Sequence, residues 1–308
     1  MANEPRAART FETSPFGTIA FAQTTDGRRL QYMTTHPSGD CQEFIVVFES
    51  GLGVAHTFWG LVQPEVAERT QTVVYCRAGY GKSDVDFELR TVERMASDLG
   101  AVIDAVTAPR PRAKVILVGH SVGAAIIQAY AAQDRSARIA GMVFVDGACT
   151  DVASLRSRRY RLALQAYAIA TQALARLGAT RWLVGKLVDP VLPAAYAAEA
   201  RHYELTIAAT RNQARETRGW VEALSAPYIR HPLPDVPVIV LSGNRISRLL
   251  SKTHRAILAS HRKLASRAPQ GRHIAIDAGH NIPLDRPHAI TTAIADIIDT
   301  LTAFNGRN

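Results

Sequence analysis

The chain has 308 residues, of which 47% are apolar and 20% charged, and its formal net charge is +9. That is enough apolar sequence to bury a core in one large α/β domain or two small ones, and ordinary glycine and proline usage excludes collagen-like and low-complexity chains. Three scattered cysteines (Cys41, Cys76, Cys149) without a C-x-x-C exclude a disulfide framework and a zinc ribbon, and no apolar run approaches the roughly 18 residues of a membrane span.

Residues 1–17 read as an N-terminal extension. Their start carries no apolar h-region, so the expectation is a cytoplasmic protein without a secretory signal. From there short β-branched runs alternate with helical stretches. That is the pattern of a mainly parallel sheet with helices on both faces. Candidate strands are Thr18–Gln23, Arg28–Thr34, Glu43–Glu49, Thr72–Cys76, Lys114–Gly119, Ile139–Asp146, Val236–Ser242 and Arg272–Asp277. The middle runs, such as Phe44–Phe48 and Val115–Val118, are continuously apolar, as strands buried on both faces are. The first two alternate more, as antiparallel edge strands do. Residues 150–228 interrupt the alternation. They are rich in Ala, Leu, Arg and Tyr, are punctuated by Gly178, Pro190 and Pro193, and read as a helical insertion in a core of 18–149 and 229–305.

The charge is uneven. Residues 245–272 hold eight Lys/Arg and no Asp or Glu, with Leu249, Leu250, Thr253, Ala256, Ile257, Ser260 and Leu264 at helical spacing between them. This reads first as a solvated helix face, and second as a stripe able to touch an anionic surface. No nucleic-acid module is present, so no specific nucleic-acid partner is expected.

The chemistry-bearing motif is Gly119-His120-Ser121-Val122-Gly123, between the strand-like run Val115–Val118 and a helix over 124–132. A sharp strand-to-helix turn forces a serine into strained angles and lifts its hydroxyl above the sheet. The helix N-terminus behind it offers free N–H groups to a developing oxyanion. The plainer reading is a glycine-rich turn with an N-cap serine. A base is at hand in His280, in the loop after the last candidate strand, ahead of a closing helix over 287–303.

These segments together resemble the α/β-hydrolase superfamily. Gly119–Gly123 matches its nucleophile elbow and Asp277-Ala-Gly-His280 its histidine loop. Cys76-Arg-Ala-Gly-Tyr-Gly-Lys-Ser-Asp84 looks like its turn after the fourth strand, and Glu49-Ser-Gly-Leu-Gly53 like its oxyanion loop. The resemblance spans about residues 28–303. It implies an eight-stranded, mostly parallel sheet with an inserted helical cap over 150–228, and a serine hydrolase of the carboxylesterase type with no metal or organic cofactor. By the same resemblance Ser121 is the nucleophile and His280 the base. The N–H groups of Leu52 and Val122 form the oxyanion hole, and Gly51 gives the loop close approach. The partner implied is a small-molecule ester or amide with an apolar part. The aromatics Tyr160, Tyr167, Trp182, Tyr196, Tyr203 and Trp220 of 150–228 offer an apolar pocket for it, and any single one of them reads first as packing between helices.

Two positions depart from the pattern. The segment after the seventh strand, Ser242-Gly243-Asn244-Arg245, offers no carboxylate, so Asp146 at the end of the sixth strand becomes the candidate triad acid. Its alternative is a structural turn residue. Cys76 stands where the family often has Asp and reads as a small buried residue rather than a nucleophile, with no adjacent base readable from the sequence. Gly81-Lys82-Ser83 mimics a phosphate loop but lacks its first glycine, which would fall at Cys76. His56 reads as a surface residue at a helix start, and His36, His202 and His231 show no ligand spacing. Two readings compete with the esterase: an amidase or aminopeptidase, for which the cap acids Glu199 and Glu204 are thin support, and a ligand-binding protein with little turnover.

Overall fold

A computed structural model describes residues 13–37, 43–180, 191–204, 206–226, 233–245 and 251–305. Residues 1–12, Cys41, Trp182, Pro190, His231, Arg248, Leu249 and Leu250 therefore lie outside the described residues.

The eight expected strands are present: β2 (Gly17–Gln23), β3 (Arg29–Thr35), β4 (Phe44–Glu49), β5 (Gln71–Tyr75), β6 (Lys114–His120), β7 (Ile139–Val145), β8 (Val238–Gly243) and β9 (Gly271–Ile276). A two-residue strand, β1 (Thr13–Ser14), adds an edge inside the N-terminal extension. The sheet order is β1-β2-β3-β5-β4-β6-β7-β8-β9. The first three pairings are antiparallel and the rest parallel.

The continuous apolar runs have a physical reason. Successive side chains of a strand point to opposite faces, and here both faces are covered. In β6, Val115 and Leu117 join one core while Ile116 and Val118 join the other. In β7, Met142 and Phe144 split from Val143 and Val145 in the same way. The first core takes α2 (Val92–Thr107) and α3 (Val122–Tyr130). The second takes α1 (Gln63–Ala67) and the closing helix α9 (Pro287–Asn305), through Val66, Ile290, Ile294 and Ile297.

Between β7 and β8 lie α4 (Arg158–Arg176), α5 (Ala194–Tyr203) and α6 (Ile207–Ser225). Between β8 and β9 runs α7 (Ser251–Ala265), which carries the basic stripe, and after β9 comes the short α8 (Ile282–Asp285). Helix α7 buries His261 and Ala265 and exposes Lys252, Arg255, Arg262 and Lys263. Two further cations of the stripe are paired at the surface, Arg245 with Asp277 and Arg272 with Asp296.

Candidate active site

The parallel strands β4 and β6–β9 deliver their carboxyl ends to one edge, where an open α/β sheet places its chemistry. Ser121 sits between the last residue of β6 and the first of α3, with φ 53° and ψ −121°. A non-glycine residue there costs about 1–3 kcal/mol, so its surroundings must hold it. Its amide donates to the carbonyl of Val145 (3.1 Å), and its carbonyl accepts from the amides of Ala124 (3.0 Å) and Ala148 (2.8 Å). The flanking glycines are needed for space. A Cβ on Gly119 would stand 2.7 Å from the carbonyl oxygen of Gly123, and one on Gly123 2.4 Å from that of Glu49.

Asp146 follows β7 with φ 42°, so it too has the left-handed conformation. Its amide donates to the carbonyl of Leu241 (2.8 Å), and its Oδ1 accepts from the Gly243 amide at the end of β8 (3.0 Å). Its Oδ2 lies 2.6 Å from His280 Nδ1, while His280 Nε2 lies 3.1 Å from Ser121 Oγ. The three residues thus form one hydrogen-bonded row across three strand ends. With Nδ1–H donating to the carboxylate, Nε2 is left to accept from the serine hydroxyl. Burial would raise the Asp146 carboxyl, but the hydrogen bond and charge of His280 outweigh it and hold it below its ordinary range. His280 itself is half exposed, as a group that must meet a solvent-borne reactant has to be.

His120, the variable residue of the motif, is fully buried. It meets the carbonyl of His280 through Nε2 (3.0 Å), and its ring lies 4.8 Å from that of His280. Burial, with His280 beside it, pushes its pKa down to about 3, so it stays neutral. A second buried histidine supports the acid: His261 Nε2 meets the carbonyl of Gly147 (2.8 Å), next to Asp146, and its Nδ1 meets Ser242 Oγ (2.6 Å), next to Gly243. Both backbone segments that fix Asp146 are therefore tied to one imidazole. Asp277 does not enter this row; it is exposed and pairs with Arg245.

The loop Ser50–Val54 faces Ser121. An added Cβ on Gly51 would lie 3.2 Å from Ser121 Cβ, and Gly53 adopts φ +72° against Gln213 of α6. Within the described residues, no hydrogen bond takes the amide of Leu52 or Val122. The loop is pinned by Arg77, whose guanidinium donates to the carbonyls of Ser50 (2.8 Å) and Gly51 (2.7 Å), to Glu49 (2.7 Å) and to both oxygens of Glu216 on α6 (2.7 and 2.9 Å). Glu216 also accepts from the Gly53 amide (3.3 Å). Burial pushes the Glu49 carboxyl up against the pull of Arg77, and the Tyr75 hydroxyl donates to it. Arg77 stands in the segment whose resemblance was noted in the sequence. Glu216 carried no signal there, since a single glutamate in a helix is ordinary.

One sequence expectation is corrected here. His56 is not a surface residue. It is fully buried, with Nε2 2.8 Å from Glu199 and Nδ1 3.1 Å from Cys76 Sγ. Burial alone would depress it, but Cys76 and Glu199 carry its pKa up to about 10. Cys76 is buried as expected, and the His56 imidazole lies beside it, brought from 20 residues upstream. The carboxylates Glu199 and Glu204 are spent on this contact. Glu199 takes His56, and Glu204 accepts from the Thr57 hydroxyl, so both bind α5 and its end to the core and leave no open acidic pair for a substrate amine. The aromatics of 150–228 divide likewise: Trp220 is buried in the core, Tyr196 packs on Phe16, Tyr203 lies near His56, Tyr160 is half buried and Tyr167 is exposed. Among the described residues no group of three His, Cys, Asp or Glu could hold a metal ion.

A family model described as the alpha/beta hydrolase family matches residues 46–293. A curated relative, the uncharacterized protein YqjL of Bacillus subtilis (strain 168), is 30% identical over 131 residues, covering 42% of this chain; the chain spans about half (49%) of that relative's length. Among solved structures, a thermophilic esterase from Thermogutta terrifontis superposes with a TM-score of 0.63 at 20% identity, over 92% of this chain and 98% of that one. The esterase EaEST from Exiguobacterium antarcticum superposes with a TM-score of 0.65 at 16% identity, over 91% and 99%. The epoxide hydrolase CorEH also gives 0.65 at 16% identity, over 92% and 99%. At these identities the likeness is one of fold.

Proposed function

The chain belongs to the alpha/beta hydrolase family, and from that membership we propose that it is a cofactor-independent serine hydrolase that cleaves carboxylic esters through an acyl-enzyme on Ser121. The observation that carries the reading is the row Ser121–His280–Asp146, with spacings of 3.1 and 2.6 Å at the carboxyl edge of the sheet. Ser121 Oγ attacks the ester carbonyl while His280 Nε2 takes its proton. Asp146 holds the ring in the required tautomer and stabilises the imidazolium. The tetrahedral oxyanion is received by the amides of Leu52 and Val122, which have no competing acceptor among the described residues. The imidazolium then returns its proton to the leaving alkoxide. A water, activated by the same nitrogen, frees the acid and restores the serine.

In this reading α4–α6 act as a cap, with Arg77, Glu216 and Gln213 setting the height of the oxyanion loop beneath it. Esters with an apolar part are the substrate class. The absence of a carboxylate after β8 favours the ligand-binding alternative, whereas the Asp146 carboxylate within hydrogen-bond reach of His280 supports the hydrolase. The test is hydrolysis of a short p-nitrophenyl ester series, with matching anilides, by the wild type, Ser121→Ala and Asp146→Asn. Ester turnover should vanish in Ser121→Ala and fall by about 10³–10⁴ in Asp146→Asn. Turnover surviving Ser121→Ala contradicts the reading, and anilides cleaved as fast as esters would move it to an amidase.

A further inference from the structure

Helix α4 is covered on one side only. Ala168 and Ala175 are buried, and Tyr160 and Leu164 pack against the core from the same side. At about 100° per residue the opposite side carries Leu162, Ile169 and, just past the end, Leu177, and Leu174 and Tyr167 continue the exposed apolar surface along the flank toward Tyr160. These side chains are exposed, from 36% at Leu174 to 80% at Leu177. They make up half of the ten large apolar side chains exposed in the described residues. Ala163, Ala166, Ala170 and Ala173 fill the space between them, so no polar group breaks the stripe. A 19-residue helix with such a face normally buries it.

The charges around the stripe say what would bury it. Helix α4 has arginines at its ends, Arg158, Arg159 and Arg161 before the stripe and Arg176 near its close, and no Asp or Glu. Arg211 and Arg218 of α6 lie beyond the Gln165–Gln172 flank of α4, lining with these residues and with Ile169, at the edge of the stripe, an open groove of about 500 Å³. A second copy docked by a two-fold axis would set these cations against their own kind. An anionic headgroup plane would meet cations at its surface and leucine, isoleucine and tyrosine below it, the layout of a helix lying in a membrane interface. Among the described residues no helix is long and apolar enough to cross a membrane, so the contact would lie flat. The basic helix α7 offers only half of this. Its cations are exposed, but none of the exposed large apolar residues lies on it.

We propose that the outward face of α4 docks this protein on an anionic phospholipid surface, with Leu162, Tyr167, Ile169, Leu174 and Leu177 in the acyl boundary and the flanking arginines at the headgroups. The experiment is flotation of the full chain with vesicles of pure phosphatidylcholine and of 70:30 phosphatidylcholine:phosphatidylglycerol, at low and high salt. Wild type should float with the anionic vesicles and be released by salt. The double variant Ile169→Asp/Leu177→Asp should lose at least about ten-fold in partitioning while hydrolysing a soluble short ester at the wild-type rate. Arg158→Gln/Arg159→Gln, which leaves the stripe intact, should lose the preference for phosphatidylglycerol and stands alone as the test if the aspartate variant does not fold. Failure to float overturns the proposal. So does flotation that survives both α4 variants but is lost in Lys252→Gln/Arg255→Gln/Lys263→Gln, which would assign the contact to α7. A concentration-dependent dimer abolished by the aspartate substitutions, without vesicle binding, would give the face to a second copy instead.

Discussion

At Ser121 and Asp146 the backbone takes positive φ without a glycine, the two such residues in the described chain. They are also the two ends of the hydrogen-bonded row, so strain and the proposed chemistry coincide. The strain at Ser121 is tied to its Cβ, and this separates it from the hydroxyl. Ser121→Ala keeps the Cβ and should leave stability near wild type. Ser121→Gly relaxes the turn and should raise Tm by about 1–3 °C, although both variants should be equally inactive. Calorimetry of the three proteins reads this directly, and a Tm below wild type in Ser121→Gly would mean the turn carries no stored strain. The serine was legible in the sequence because strand, motif and helix follow one another within a few residues. The Ser121–His280 pairing was legible only through chain order, since 159 residues separate them. His261 was not legible: its partners are a backbone carbonyl and a serine hydroxyl, neither of which marks a sequence.

Elements reach this edge by different routes. Strand ends arrive by register, as β4, β6 and β7 run in parallel and stop together. The loop after β4 has no regular structure to hold it, and Arg77 does so from the turn after β5, with Glu216 of α6 bracing Arg77 in turn. Glu216 lies 139 residues from Arg77, and nothing in a helix with so many other polar residues singles it out. That is why the helices between β7 and β8 were legible but their attachment was not. Removing Glu216 leaves the buried Arg77 with one carboxylate, Glu49, in place of two, so Glu216→Ala should cost about 3 kcal/mol in urea unfolding. Because Arg77 also carries the carbonyls of Ser50 and Gly51, the same variant should lower kcat at least about ten-fold with less change in KM. An unchanged kcat in folded Glu216→Ala would detach α6 from the oxyanion loop. The short β1 was missed for a simpler reason: two residues carry no periodicity.

Over the whole molecule, two buried histidines set opposite limits on the pH range of the fold. His120 is held neutral with its pKa pushed down to about 3, below the ordinary 6.5. As pH falls below 6.5 the unfolded chain takes this proton first, and stability should drop by about 2 kcal/mol by pH 5. His56 is carried up to about 10, so the stability it supplies is complete below pH 6.5 and fades as pH rises toward 10. Urea midpoints should peak near pH 6.5, with His120→Gln flattening the acid limb and His56→Gln the alkaline one. A midpoint still rising at pH 5 would contradict this. The fold class was legible because both-face burial writes continuous apolar runs into the sequence, and the sheet order was not, because neighbours such as β3 and β5 are joined by pairing that no local pattern records. The departure at Ser242–Asn244 was equally legible, and the end of β7 answers it: Asp146 accepts from the Gly243 amide and meets His280 from there. The account rests on an activated serine at this edge, and the most direct measurement is peptide mapping after reaction with a fluorophosphonate. The account predicts one label per chain, on the peptide carrying Ser121, absent from Ser121→Ala and strongly slowed in His280→Ala. A folded wild type that takes no label, or takes it elsewhere, would contradict it.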